Sequence, residues 1–169
     1  KGTQHDHIHE MSGIVAAKVV DINGDSVTIV SDGYMSSRTD IDPVLDVEWG
    51  FQPVPGYFQE KTAINKGNTL ANSTDSTSWP LSWPGKGPEW NLKWNGYFGL
   101  HQFNSDQEGY YLMDDIWNRE YKLYPSLADT TVRGLGLQVE VRGVQWVHPL
   151  AQNVIFFHLQ VTNSGDYTY

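Results

Sequence analysis

Hydrophobic and polar positions alternate most regularly near the end of the chain. Leu135, Leu137, Val139 and Val141 interleave with Gly136, Gln138, Glu140 and Arg142, the period-two pattern of a strand with one buried face. Past Gly143 the apolar residues become Val144 and Trp146, one step out of phase, which predicts a bulge. A loop at Pro149 to Asn153 leads into a second strand. There Ile155, Phe157, Leu159 and Val161 fall on one face and Phe156, His158, Gln160 and Thr162 on the other. The two strands are expected to pair as neighbours. Residues 162–166 then read as a turn, and Tyr167 to Tyr169 as the start of a further strand whose continuation lies outside this sequence or is supplied by something else.

The earlier part of the chain reads as β structure of a different grain. Ile14 to Ile22 and Ser26 to Val30 flank Asn23-Gly24, the dipeptide that best supplies the two positive φ angles of a two-residue hairpin turn. Residues 1–12 are polar and His-rich without periodicity, and read as a mobile arm or a donor strand ahead of one domain spanning 13–169. Gly33, Pro43, Pro53, Pro55 and Gly56 permit only short strands between 31 and 60, the best placed from Leu45 to Phe51. Residues 61–96 carry Pro and Gly every few positions and are expected to form a long loop without helix. Tyr97 to Phe103 and Gly109 to Met113 are candidate short strands, while Asp114 to Tyr121 fits either one helical turn or a polar loop. The fold class expected is therefore all-β, a β-sandwich of the Ig-like or jelly-roll type with a long Trp/Pro/Gly-rich loop and an extended N-terminal arm.

Composition sharpens this picture. Seven Trp, nine Tyr, sixteen Gly and eight Pro favour strands and turns over helix, and the absence of Cys removes disulfides and thiolate metal sites. Eleven Lys+Arg against twenty Asp+Glu give a net charge of −9, which repels phosphate backbones and anionic bilayers, so neither nucleic acid nor membrane insertion is expected. No apolar run approaches the ~20 residues that cross a membrane as helix.

Chemistry-bearing residues cluster in a few places. Trp79, Trp83, Trp90, Trp94 and Tyr97 either line a carbohydrate platform, since sugar rings stack on exposed indoles, or fold back to cap an open end of the sandwich. Asp32, Asp40 and Asp42, with Asp46 and Glu48 nearby, offer hard oxygen ligands for a structural Ca²⁺, although the spacing matches no strict calcium loop. His5, His7 and His9 would face one side of an extended arm, as a transition metal requires. Asp114-Asp115 is the one adjacent acid pair, and on a strand its carboxyls point to opposite faces, which disfavours a glycosidase pair. Nothing resembles a nucleophile elbow, a phosphate-cradling loop or a metalloprotease helix.

The stretch Val139 to Asp166, with Val161-Thr162-Asn163-Ser164-Gly165, resembles the sandwiches of large bacterial surface proteins. The segments Glu48 to Tyr57, Trp94 to Gly99, Met113 to Asp115 and Arg133 to Leu137 are similar to uncharacterised secreted surface proteins of Bacteroidota-like bacteria, in their N-terminal part and without the C-terminal sorting domain. That resemblance implies export to the cell surface. It also implies O-glycosylation at Ser26, Ser76 and Thr130, each of which follows an Asp. The function expected first is a non-catalytic extracellular structural module of a surface layer or filament, self-associating through β-strand contacts. A glycan-binding module is the alternative, and a glycan-active enzyme a third reading.

Overall fold

The structure, a computed structural model, describes residues 12–33, 40–66 and 68–169, with the side chains of 64–66 outside the description. The predicted arm and His5, His7 and His9 lie outside the described residues. Among the described residues strand makes up 34% and helix 7%, so the all-β class expected from the alternation is what forms. By internal contacts the chain divides into two compact units. One comprises 1–52, 114–137 and 163–169, and the other 53–113 and 138–162.

In the first unit, β1 (Ile14–Val20) and β2 (Ser26–Asp32) pair antiparallel from Ile14 opposite Asp32 to Val20 opposite Ser26. The hairpin is the expected one, but its turn is not. Five residues connect the strands, because the Asp21 carboxylate accepts the backbone N–H groups of Asn23 at 2.8 Å and Asp25 at 2.9 Å. An Asx turn therefore wins over the two-residue turn, and only Gly24 takes a positive φ (86°). The strand expected at Leu45 to Phe51 does not form beyond a single bridge between Ile41 and Glu48. Instead the Asp42 carboxylate accepts the N–H groups of Val44 and Leu45, and Asp46 sits at φ 54°, which curls the segment. Tyr167 to Tyr169 are not a strand either; the Tyr169 hydroxyl donates to the Leu135 carbonyl at 2.9 Å.

A buried carboxylate staples this unit. Asp115 is fully buried, and its two oxygens accept from the backbone N–H groups of Leu135 and Leu137, each at 2.8 Å, and from the Ser31 hydroxyl at 2.8 Å. Asn118 adds a bond to the Val30 carbonyl. Of the two expectations for residues 114–121, the loop forms: Asp114 ends a strand and the turn that follows aims Asp115 inward. Gly134 at φ 68° lies against this staple, and a Cβ there would run into the Asp115 carbonyl oxygen. Gly134→Ala is expected to cost at least about 1–3 kcal/mol in urea unfolding, whereas Gly24→Ala, in open space, should cost only about 1 kcal/mol for its positive φ. Equal midpoints for the two variants would contradict this.

The second unit holds most of a five-stranded sheet in the order β3 (Gln52–Pro53), β7 (Gln107–Asp114), β8 (Leu137–Gln145), β9 (Ile155–Asn163), with β4 (Ala71–Asn72) pairing antiparallel to β7. The neighbouring of β8 and β9 is as expected. β8 runs through Gly143 without a break, and a Cβ at that position would come within 3.3 Å of the Phe157 ring, so the glycine leaves room for an aromatic neighbour. One expectation fails in an informative way. Alternation promised β9 a buried face, yet all nine of its residues are exposed, including Ile155, Phe156, Phe157, Leu159 and Val161 at 47–55%.

The segment 61–96 is less irregular than its punctuation suggested. Glu60 to Lys66 forms α1, because Pro and Gly are absent from Glu-Lys-Thr-Ala-Ile-Asn-Lys and resume only after it. Two single 3₁₀ turns follow at Ser76–Ser78 and Pro88–Trp90, the second with Pro at its first position, where no N–H is missed. β5 (Asn95–Gly96) and β6 (Gly99–Leu100) close a small antiparallel hairpin with Tyr97-Phe98 at its tip.

Candidate functional site

The tryptophans of the loop separate into a core and a rim. Trp94 is fully buried and Trp83 is 2% exposed; with Trp79, Ala71 and Tyr110 they form the apolar cluster of the second unit. Trp94 lies 5.7 Å from Trp79 and 6.0 Å, edge-on, from Trp83, which in turn meets Tyr110 at 5.7 Å. Each buried indole N–H has an acceptor: the Asn72 carbonyl for Trp79, the Lys93 carbonyl for Trp83 and the Glu108 carboxylate for Trp94. That satisfaction is what lets three large amphipathic rings sit in one core. Trp90 is half-buried against the cluster and Tyr97 is 51% exposed, so of the five aromatic residues singled out these two face outward.

Trp90 and Tyr97 join Tyr57 and Tyr110 around a half-open cleft of about 330 Å³ within the second unit. Its polar wall is built from Lys86, Glu140, Arg142 and Gln160. Arg142 is buried and commits Nη1 and Nε to protein: Nη1 to Glu108 at 2.6 Å and to the Asn95 carbonyl at 2.7 Å, Nε to Glu140 at 3.1 Å. Its guanidinium stacks 4.3 Å from the Tyr110 ring centre. Glu108 accepts in addition from Trp94 Nε1 and from the Tyr97 backbone N–H, so one buried carboxylate ties the core indole to the hairpin that carries the cleft's outer ring. Tyr110 donates its hydroxyl to Glu140 at 3.2 Å. Burial and the Glu140 charge raise the phenols of Tyr57 and Tyr110, so both rings stay neutral donors at physiological pH.

The spacing of loop residues did not reveal this polar frame. Glu140 and Arg142 hold the polar positions of an alternating strand, and the available signal was an acid and a base two residues apart on one face. Glu108 had no comparable signal, because its partners come from Trp94, Tyr97 and Arg142, distant in sequence.

None of the other candidate residues lines the cleft. Asp42 caps its own turn, and among the described residues no three His, Asp or Glu side chains are arranged to hold a metal ion. The Asp32 carbonyl accepts from the Phe51 N–H and the Asp40 carbonyl from the Trp49 N–H. Asp114 and Asp115 are both pushed upward by burial, but Asp115 is committed to the staple. Ser26, Ser76 and Thr130 are all exposed. In two of these tripeptides the leading Asp (Asp75, Asp129) accepts the N–H and hydroxyl of the third residue, folding a tight turn. Among the described residues no helix is long and apolar enough to cross a membrane. Comparison with family models, with curated proteins and with solved structures gives no match to this chain.

Proposed function

We propose that the chain is a non-catalytic extracellular assembly module of a bacterial surface layer or filament, in which β9 of one copy pairs with an extended segment of a second copy. The observation that carries this reading is β9 itself. Among the described residues it ends the strand order of its sheet, with no ladder partner on one side of its backbone, and its nine residues contain no Lys, Arg, Asp or Glu to keep another strand away. Four large apolar side chains on one face, Ile155, Phe157, Leu159 and Val161, each about half exposed, form a patch of the kind found at interfaces. An extended chain is the occupant such an edge selects, since only it meets every second N–H and C=O while pocketing alternate side chains. The face of Ile155, Phe157, Leu159 and Val161 is apolar enough to hold a second β9, or the arm 1–12 of a neighbour, that adds at this edge. Placement outside the cell is supported by the resemblance to exported surface proteins.

Sedimentation at about 100 µM, where a micromolar contact is saturated, is expected to show oligomers for the native chain. Phe157→Lys combined with Leu159→Lys should leave monomers with unchanged far-UV dichroism, because two desolvated ammonium groups make strand addition unfavourable. A chain lacking residues 1–12 identifies the donor: it loses association if the arm adds to β9. A native chain that sediments as a monomer, or oligomers indifferent to the lysine pair, would refute the proposal.

A further inference from the structure

We infer that the cleft of the second unit binds a neutral mono- or disaccharide, independently of what pairs with β9. The argument rests on how its charges are disposed. Lys86 Nζ already stands 4.5 Å from the centre of the Trp90 ring, and the Arg142 guanidinium covers Tyr110. Two of the cleft's four rings, Trp90 and Tyr110, are thus already supplied with cations. On the acidic side, Glu108 is bonded to Arg142 and buried, and Glu140 is held by Arg142 Nε and the Tyr110 hydroxyl. Two cations and two carboxylates compensate within the frame, which leaves little net attraction for a free anion or cation.

What the frame does offer is direction. Glu140, with its side chain 32% exposed, is fixed by two donors and presents acceptor capacity to the cleft, while Gln160 adds a donor and an acceptor. The same cleft is lined by the rings of Tyr57, Trp90 and Tyr97. A pyranose matches this combination, its C–H groups against rings and its hydroxyls against carboxylate and amide. The volume lies at the small end of ligand pockets, which fits one or two sugar rings and not a long chain. Preorganisation is built in: Tyr97 is anchored through its backbone N–H to Glu108 and its ring meets His158 at 5.0 Å, and Trp90 packs against the core. Rings already held in place lose little freedom on binding.

The test uses the full chain and defined probes: cellobiose, maltose, lactose and diacetylchitobiose, each titrated to about 10 mM by calorimetry and saturation-transfer NMR, with tetramethylammonium and inorganic phosphate as ionic comparators. At least one disaccharide is expected to bind saturably, with affinity reduced about tenfold or more in Tyr97→Ala and in Trp90→Ala. Glu140→Gln, which keeps size but weakens the acceptor, should reduce it less than either ring deletion. Tyr97 is exposed at a hairpin tip, so its removal leaves the core intact even if Trp90→Ala unsettles the fold. The inference is overturned if no sugar in the panel saturates, if only an ionic comparator does, or if sugar binding survives loss of Tyr97 and Trp90 unchanged. None of these outcomes bears on association through β9, which the lysine pair tests separately.

Discussion

Replacing Trp94 by Ala is expected to lower the unfolding free energy by about 3–5 kcal/mol, a large fraction of what holds an ordinary domain folded. The side chain is fully buried between Trp79 and Trp83, so its loss opens a cavity that two rigid rings cannot close by rotamer change. It also removes one of the donors to the buried Glu108 carboxylate. Trp94→Phe separates the two contributions. It refills most of the volume but offers no N–H, and should recover more than half of the loss. Thermal melts followed by near-UV dichroism measure this directly, and a Trp94→Ala variant melting within a few degrees of the native chain would show that the cluster is not the core of its unit.

The second large effect is expected at Asp115. Both of its oxygens accept backbone N–H groups, so Asn, which turns one oxygen into an NH₂, sets a donor against a donor and leaves Leu135 or Leu137 unsatisfied. Asp115→Asn should therefore cost about 2–4 kcal/mol, close to Asp115→Ala, despite its near-identical shape. The pH dependence has a definite sign. Burial is the largest influence on this carboxyl and raises it above its ordinary value of 3.8, against the pull of the Leu135, Ser31 and Leu137 bonds. A folded state that holds the proton more tightly than the unfolded state gains from it fully below the unfolded pKa, and that gain disappears as pH rises through the folded value. The stability difference between the native chain and the Asn variant should thus shrink from about pH 4 toward pH 7. Urea midpoints that show the difference growing over that range would mean that hydrogen bonding, not desolvation, governs the group.

These effects bear on how far the chain could be read before its fold was seen. Where a local rule acted alone, reading succeeded: the β-branched runs either side of Asn23-Gly24 pair as a hairpin, and the alternation at Leu137 to Val141 does bury one face of β8. Where two local rules competed, composition did not choose between them. Asp21 two residues ahead of Asn23 captured the turn through its side chain, and the short Pro- and Gly-free run from Glu60 to Lys66 closed a helix inside a stretch read as loop. The aromatic loop could be recognised as important, but which rings turn inward depended on acceptors such as the Asn72 and Lys93 carbonyls, fixed only once the loop has folded. The cleft was legible in Trp90 and Tyr97 and invisible in Glu108, whose three partners meet only in space. For β9 the alternation was real, but periodicity reports that a face is apolar and not that anything covers it.

The close approach of Trp79, Trp83 and Trp94 gives this protein a built-in optical reporter. Indoles at such separations and tilts mix their electronic transitions, which produces a paired positive and negative band in circular dichroism instead of separate weak ones. Five of the seven tryptophans (79, 83, 90, 94 and 146) belong to the second unit, and 49 and 117 to the first, so ultraviolet signals are weighted toward one unit. Loss of the paired band while strand absorption persists would reveal the two units coming apart in separate steps, without any label being added.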